Sequence, residues 1–212
     1  MTCTLLLVTT SRTYRSQLRD QQAERTRQLI ADAARARFAE NGWSGTSVRA
    51  VAAAARVSEA TVYAIYGSKE GLARSLIESA EQSADVQRAI RELRDHDGAP
   101  AAQLGAFIAF DRRLFELSAD VIRVVAEARR QHPELGVAYD YGRQRGETTR
   151  SEVFAAWPDD AWRPGIDVTR ALAVYAIVVS VESYEIAVTE RGWSPDAIES
   201  WWRSTLSELL LA

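Results

Sequence analysis

Lys69 is the only lysine of a 212-residue chain that contains 26 lysines and arginines in all. It lies in the stretch SEATVYAIYGSKEGL, residues 58–72, directly after Ser68, which can cap a helix. A lysine in the first turn of a helix could bind a phosphate, because the free backbone N–H groups and the helix dipole attract an anion and the ammonium adds a compact charge. The alternative is a solvated surface lysine.

Two short helices with a tight turn between them are predicted ahead of this lysine. Thr46 or Ser47 supplies an N-cap for a helix over residues 48–55, and Ser58 caps a second helix through Tyr66. Such a pair is typical of a helix-turn-helix, whose second helix can lie in a DNA major groove. Small helical pairs also form for packing alone, so the spacing by itself leaves both interpretations open.

The residue types in this segment carry a stronger signal. FAENGWSGTSVRAVAAAARVSEATVYAIYGSKEGL, residues 38–72, resembles the N-terminal DNA-binding domain of the TetR family of bacterial repressors. That family shows a Phe before an ENG-aromatic turn, then T-S/T-V-R-x-[IV]-A, an A-G-V-S turn, x-x-T-[LV]-Y-x-x-[FY] and Ser-Lys-Glu-x-Leu. The matching positions are Phe38, Gly42, Trp43, Thr46, Ser47, Val48, Arg49, Val51, Ala52, Val57, Ser58, Thr61, Val62, Tyr63, Tyr66, Ser68, Lys69, Glu70 and Leu72.

The resemblance implies which residues contact DNA. The hydrogen bonds to phosphate oxygens, which set the register of the domain on the DNA, are donated by Thr46, Ser47, Tyr63 and Lys69. The contacts to base edges are made by Arg49, Glu59, Ala60 and Thr61. Ser58, at the start of the second short helix, is also a DNA-contacting residue; we call this helix the reading helix. Arginine can bind guanine, glutamate can accept from cytosine, and a methyl group can meet the thymine methyl. For Arg49 and Glu59 a solvated surface pair is the alternative.

Three residues depart from the family pattern. Arg56 stands where a turn glycine is usual, and a left-handed conformation there would cost roughly 1–2 kcal/mol, which predicts a turn of different shape. Ala60 replaces a frequent glycine and should stiffen the reading helix. Ile65 replaces a frequent His or Tyr and removes one phosphate contact.

The rest of the chain is also predicted to be helical. Apolar residues recur every three or four positions before Asn41-Gly42, which should close a first helix beginning at Asp20. Further helices are predicted over 69–94, 101–116, 119–131, 134–156, 167–190 and 195–211. The fold class is therefore all-α, with about nine helices. The predicted domains are a flexible arm over 1–19, a three-helix helix-turn-helix domain over 20–68, and a helical effector-binding and dimerisation domain over 69–212, joined to it by the long helix.

Charge is divided unevenly along the chain. Residues 1–72 carry ten basic and six acidic side chains, net +4, and residues 73–212 carry sixteen and twenty-three, net −7. A positive head could face a polyanion while an acidic body avoids it, although solvated helix faces also produce such asymmetry. In the arm, Arg12, Arg15 and Arg19 could reach a phosphate backbone or a minor groove; a disordered tail or a misassigned start codon is the alternative. The single cysteine, Cys3, and the lack of a long apolar leader favour a cytoplasmic protein without a membrane anchor.

We expect the acidic part of the chain, residues 73–212, to supply a surface for a partner and a site for a ligand. Residues 167–190 are apolar on almost every side, and the last helix adds further large apolar residues, so the two could form a four-helix homodimer interface, as in the family. The predicted interface residues are Val174, Val178, Val181, Trp201, Leu206 and Leu209. The family also encloses a small-molecule pocket here, for which we expect a small hydrophobic or aromatic effector. The predicted lining residues are Phe107, Phe110, Tyr139, Trp157 and Tyr175. A plain domain core is the alternative for both sets.

These features predict a ligand-responsive transcriptional repressor that binds palindromic operators in double-stranded DNA as a homodimer. An enzyme is the contrasting hypothesis, but His96 and His132 fall in predicted loops without a nucleophile or metal-ligand set, and no cofactor is expected. A third hypothesis is a helical interaction protein, or an activator of the same fold, that uses no small-molecule effector.

Overall fold

The computed structural model describes residues 6–212, with side chains described from Arg19 onward except those of Ala138 and Tyr141. This part of the chain is all-α. Its helices are α1 Leu6–Asn41, α2 Val48–Ala55, α3 Glu59–Tyr66, α4 Lys69–Ser83, α5 Val86–Asp95, α6 Pro100–Ala128, α7 Pro133–Ala155, α8 Val168–Val178, α9 Val181–Glu185 and α10 Pro195–Leu210. A 3-10 turn at Asp159–Ala161 and a π-helical turn at Ile186–Glu190 complete it. The chain forms two compact units, residues 1–72 and 73–212.

The first helix begins earlier than its apolar periodicity indicates. α1 starts at Leu6, so the prediction of a flexible arm up to residue 19 and a helix start at Asp20 is wrong for residues 6–19. The reason is that LLVTTSRTYRSQLRD contains no glycine or proline to end a helix. Cys3 and the side chains of Arg12 and Arg15 lie outside the described residues.

The first unit is organised around the end of α1. Gly42 adopts a left-handed backbone with φ of 63°, and its N–H donates to the Phe38 carbonyl, as the Asn41-Gly42 pair predicts. The chain then turns back, and the Trp43 ring stacks on Phe38 with centroids 5.3 Å apart. Val51 of α2 and Val62 of α3 close the same core. The predicted bounds of α2 and α3 are confirmed.

The predicted helix over 69–94 is broken in two. α4 ends at Ser83, and Asp85 takes a left-handed conformation with φ of 58° before α5 begins. The Asp85 carboxylate accepts a hydrogen bond from the Arg88 N–H, so it caps α5. The Ala84 carbonyl, left free at the end of α4, accepts from Nε of Arg113 at 2.8 Å.

By contrast, the two helices predicted over 101–116 and 119–131 are one. α6 runs without a break from Pro100 to Ala128. Ser118, at the predicted joint, is buried, and its hydroxyl donates to the Leu114 carbonyl one turn earlier at 2.6 Å. A serine satisfied in this way can remain inside a helix.

The apolar segment predicted as one helix over 167–190 is also interrupted. α8 ends at Val178, and Ser180 caps α9 in a reciprocal pair of hydrogen bonds with Ser183. By length and composition Val168–Glu190 could cross a membrane. In the fold, however, Ala171 and Tyr175 of this segment are buried in the core of the second unit.

The core of the second unit is aromatic. α6 packs against α5, α7, α9 and α10, and α8 packs against α7 and α10. Trp202 and Phe154 are fully buried at its centre. Phe154 has four aromatic neighbours, which are Phe107, Trp157, Trp162 and Tyr175.

Candidate nucleic-acid interface

Local hydrogen bonds fix the two short helices of the first unit. Ser47 caps α2, where its Oγ accepts from the Ala50 N–H at 3.1 Å. Ser58 caps α3 in the same way through the Thr61 N–H, also at 3.1 Å. At the other end of α3 the Tyr66 hydroxyl donates to the Arg27 carbonyl of α1 at 3.2 Å. α3 is therefore held at both ends, which leaves its outer side chains in a defined position.

The turn between α2 and α3 adopts a left-handed shape that a non-glycine residue disfavours. Arg56 has φ of 57° and ψ of 41°, the left-handed conformation that a glycine would take. The Arg56 N–H donates to the Ala53 carbonyl and the Val57 N–H to the Ala52 carbonyl, which closes α2. The expectation of a different turn shape is wrong, because these hydrogen bonds and the burial of Ala52 and Ala55 offset the strain.

This strain predicts a stabilising substitution. Arg56→Gly should raise the unfolding free energy of the first unit by about 0.5–1 kcal/mol, because the left-handed penalty is removed and the extra freedom of glycine in the unfolded chain cancels only part of the gain. Urea unfolding of the full chain measures it. Arg56→Ala is the matched control, since it loses the guanidinium but keeps the strain; equal stability of the two variants would contradict the expectation.

The outer surface of α2 and α3 is polar, small and weakly basic. The predicted contact residues that are exposed are Ser47, Arg49, Ser58, Glu59, Ala60 and Tyr63. Between residues 45 and 66 there are two basic side chains, Arg49 and Arg56, against one acid, Glu59, a net charge of +1. Arg56 is exposed at the turn and adds a cation to this surface. Such a surface favours a polyanion.

Residues in the reading helix point in two directions. Tyr63 is 49% exposed. Thr61 is half-buried, and its hydroxyl shares a hydrogen bond of 2.8 Å with the Ser58 hydroxyl. The Thr61 hydroxyl is therefore engaged with the N-cap of α3. The methyl group of Thr61 is the part of the side chain for which the sequence predicts a contact with the thymine methyl.

The Thr46 side chain has a structural role in place of the predicted phosphate contact. Only 2% of the residue is exposed. Its hydroxyl lies 2.9 Å from the Arg37 carbonyl and 2.8 Å from the Gly42 carbonyl, at the end of α1. The hydroxyl therefore closes the α1–α2 turn and is shielded from an external phosphate. Sequence reasoning missed this because both acceptors belong to a different helix end.

Lys69 also faces inward. Its Nζ donates to the carbonyls of Trp43 and Thr46, each at 2.9 Å, and lies 4.1 Å from the centroid of the Trp43 ring. Burial lowers the pKa of Lys69, and the neighbouring Glu70 carboxylate offsets part of that effect. Two of the three ammonium protons are thus engaged within the protein, so at most one remains to bind a phosphate.

The predicted ligand-lining residues are not equivalent. Phe107, Trp157 and Tyr175 are buried around Phe154 in the core of the second unit. Phe110 is half-buried. Tyr139 is also half-buried, but its ring lies beneath the guanidinium of Arg129, 4.4 Å away, with that of Arg143 at 5.9 Å.

A polar cluster inside this aromatic core was missed. The Tyr175 hydroxyl donates to Asp111 Oδ2 at 2.7 Å, and Nη1 of Arg150 lies 3.3 Å from the same oxygen. Burial raises the pKa of Asp111, and Arg150 and Tyr175 offset part of that effect. Burial, together with the Asp111 charge, raises the pKa of Tyr175 well above its ordinary value. An aspartate directly after the apolar run FIAF, residues 107–110, was the available sequence signal.

A second buried pair joins α5 and α6 to the segment that follows α7. The Trp157 indole N–H donates to Gln103 Oε1 at 2.6 Å, and Gln103 Nε2 donates to the Leu93 carbonyl at 3.0 Å. Gln103 and Trp157 are both buried. The predicted ligand residue Trp157 therefore has a packing and hydrogen-bonding role in this conformation.

The predicted dimer residues fall into two groups. Val181 and Leu206 are wrong as surface residues, because both are buried within the protomer. Trp201 and Leu209 are exposed on α10, and Val174 and Val178 are half-buried on α8. Ile177, which was missed, is 76% exposed on α8, and α8 packs directly on α10. We call Val174, Ile177, Val178, Trp201 and Leu209 the α8–α10 face.

The two histidines lie at helix ends. His96 follows α5 and His132 precedes α7, where its Nδ1 is 3.5 Å from a Glu134 carboxylate oxygen. Within the described residues, no three His, Cys, Asp or Glu side chains are grouped so that they could hold a metal ion.

Comparisons with known proteins agree with this geometry. Residues 30–76 match the family model described as bacterial regulatory proteins, tetR family. No curated protein matches the chain. Among solved structures, NalD of Pseudomonas aeruginosa, the secondary repressor of the MexAB-OprM multidrug efflux pump, has a TM-score of 0.66 at 19% identity over 90% of this chain and 98% of its own. FadR of Bacillus subtilis, in complex with stearoyl-CoA, has a TM-score of 0.64 at 19% identity, with 84% and 96% covered.

The chain thus has the fold of a helix-turn-helix transcriptional regulator. A protein of Mesorhizobium loti described as a TetR-family transcriptional regulator shares that fold, with a TM-score of 0.58 at 21% identity over 90% of this chain and 98% of the other. Residues 30–76 therefore match the tetR family of bacterial regulatory proteins, and most of the chain shares the fold of solved TetR-family regulators.

Proposed function

We propose that the protein is a ligand-responsive transcriptional repressor of the cytoplasm, with no enzymatic activity, that binds palindromic operator DNA as a homodimer and is released by a small-molecule effector. The observation that carries the DNA-binding part is the outer surface of α2 and α3. Ser47 and Ser58 cap the two helices, and Arg49, Glu59 and Tyr63 project from them into solvent. α3 would enter the major groove, with Arg49 and Glu59 on base edges and Ser47 and Tyr63 on phosphates.

Dimerisation would use the α8–α10 face. Ile177, Trp201 and Leu209 expose large apolar side chains on two helices that pack together, and pairing with a second copy would form a four-helix interface. A two-fold dimer places two reading helices on successive half-sites, which is why a palindromic operator is proposed.

The effector would bind within the second unit. Aromatic side chains surround the polar group of Asp111, Arg150 and Tyr175, so an aromatic or hydrophobic molecule with one polar group fits the chemistry of that region. A ligand there would act by favouring the conformation of the dimer that does not fit DNA.

A salt series tests the DNA-binding proposal. We expect the chain to protect a site in the DNA next to its own gene, with affinity falling steeply between about 50 and 200 mM salt as released counterions weaken the phosphate contacts. A duplex that carries one half-site should bind more weakly than one that carries both. Failure to protect any site, or binding that ignores salt, would favour the interaction-protein hypothesis.

Substitution of Arg49 gives the most direct test of base recognition. Arg49→Ala should lower discrimination at one base pair by about 1–3 kcal/mol, because a bidentate contact to guanine is lost. Affinities for the operator and for duplexes substituted at each position measure it. Arg74→Ala is the matched control, since Arg74 is an exposed arginine that pairs with Glu78 on α4. An unchanged order of preference in Arg49→Ala would remove Arg49 from the reading surface.

A further inference from the structure

The ammonium of Lys69 joins two parts of the first unit that are far apart in sequence. Its two hydrogen bonds go to the carbonyls of Trp43 and Thr46, and the ammonium also lies over the Trp43 ring. Both carbonyls belong to the turn between α1 and α2, 26 and 23 residues before the lysine. The start of α4 is therefore tied to that turn.

The turn itself is closed from inside. The Thr46 N–H donates to the Trp43 carbonyl at 3.2 Å, and the Thr46 hydroxyl bonds to the end of α1. The Trp43 carbonyl thus accepts from Thr46 and from Lys69 at once. Ser47, the N-cap of α2, is the next residue, and Arg49 lies in the first turn of that helix. The position of Lys69 consequently affects where α2 begins.

This arrangement suits a lysine better than an arginine. The three N–H groups of an ammonium diverge from one atom, so a single nitrogen can bond to two carbonyls while facing an aromatic ring. A guanidinium is larger and planar, and its donors form a fixed fork that matches a carboxylate or a phosphate. A simple phosphate contact could be made by either residue, and this chain otherwise uses arginine throughout.

We propose that Lys69 is a positioning residue, which clasps the α1–α2 turn to the start of α4 and thereby sets the position of α2 and of Arg49 on DNA. This inference rests on the proposed DNA-binding function for its effect on base recognition. The clasp itself exists in the free protein and can be tested without DNA.

The first experiment therefore uses the full chain alone. Amide hydrogen exchange of residues 43–47 should be about tenfold faster in Lys69→Met, which keeps the stem, and in Lys69→Arg, which keeps the charge, because two charge-assisted hydrogen bonds are lost. Ile30→Val is the matched control, since this buried α1 residue lies away from the turn and should accelerate exchange evenly across the unit. Wild-type exchange at 43–47 in Lys69→Arg would overturn the clasp.

The second experiment measures DNA binding of the same variants. A clasp predicts that Lys69→Arg binds about tenfold more weakly, with discrimination lost at the base pair that Arg49 reads and with the salt dependence of the wild type. A phosphate clamp predicts instead wild-type affinity for Lys69→Arg, and in Lys69→Met a salt slope smaller by about 0.9 with preference intact; that result overturns the proposal. If the wild-type chain binds no DNA but shows the exchange difference, the proposed function fails and the clasp stands.

Discussion

Phe38→Ala should lower the unfolding free energy of the first unit by about 4 kcal/mol and abolish operator binding. Phe38 is almost fully buried, and its ring supports Trp43 and hence the turn that leads into α2. Truncation leaves a cavity at the point where the end of α1 and the α1–α2 turn meet. Because a small unit has only about 5–15 kcal/mol of stability in total, this loss is a large fraction of it.

Urea unfolding and operator binding of the full chain measure this effect. Leu29→Ala is the matched control, because Leu29 lies on the same helix but is 47% exposed, so its loss should change stability by no more than about 0.5 kcal/mol. Hydrogen exchange of α10, whose Trp202 belongs to the core of the second unit, should not change in either variant. A loss below about 1 kcal/mol in Phe38→Ala would contradict the assignment of this core.

Arg150→Met should destabilise the second unit by about 3 kcal/mol at neutral pH. Asp111 is buried, and without the guanidinium its carboxylate keeps the Tyr175 hydrogen bond but loses its counter-charge. Removing one partner of a buried ion pair is costly because the remaining charge is not compensated. Urea unfolding of the second unit, followed through α10, measures the loss.

The pH dependence of this deficit has a definite sign. Burial raises the pKa of Asp111 in the folded chain above its ordinary value. Between the two values the folded chain binds more protons than the unfolded chain, so stability falls as the pH rises through that window. Loss of Arg150 raises the folded pKa further and widens the window. The deficit should therefore be larger at about pH 7 than at about pH 5.

A double variant supplies the control. Asp111→Asn together with Arg150→Met removes both charges and keeps an acceptor for the Tyr175 hydroxyl, so most of the lost stability should return. A deficit in Arg150→Met that is independent of pH, or that the second substitution leaves unchanged, would show that packing of the arginine stem, and not its charge, stabilises the core.

The elements predicted best are those with local signals. The ends of α2 and α3 follow from the side chains of Ser47 and Ser58, which bond to N–H groups three residues later, and the end of α1 follows from Gly42. Such hydrogen bonds span a few residues, so the sequence alone carries them. The all-α class and the helix-turn-helix could therefore be predicted.

The errors occur where a distant partner decides the outcome. Nothing near Asp85 in sequence indicates that Arg113 will bind the carbonyl released at the end of α4. Thr46 and Lys69 carry groups suited to a phosphate, yet carbonyls of other segments hold both. Likewise Leu206 fits an apolar stripe on α10, but which edge of the stripe stays exposed depends on how α10 packs on α6 and α8.

The solitary lysine has a practical consequence for work on this protein. Amine-reactive reagents, such as the succinimidyl esters used to attach dyes or to immobilise proteins, have one side-chain target in the chain, and that nitrogen is engaged with two carbonyls and an indole. Acylation there would neutralise the cation and force the turn open. Labels and surface attachments are better introduced through engineered thiols placed far from α4.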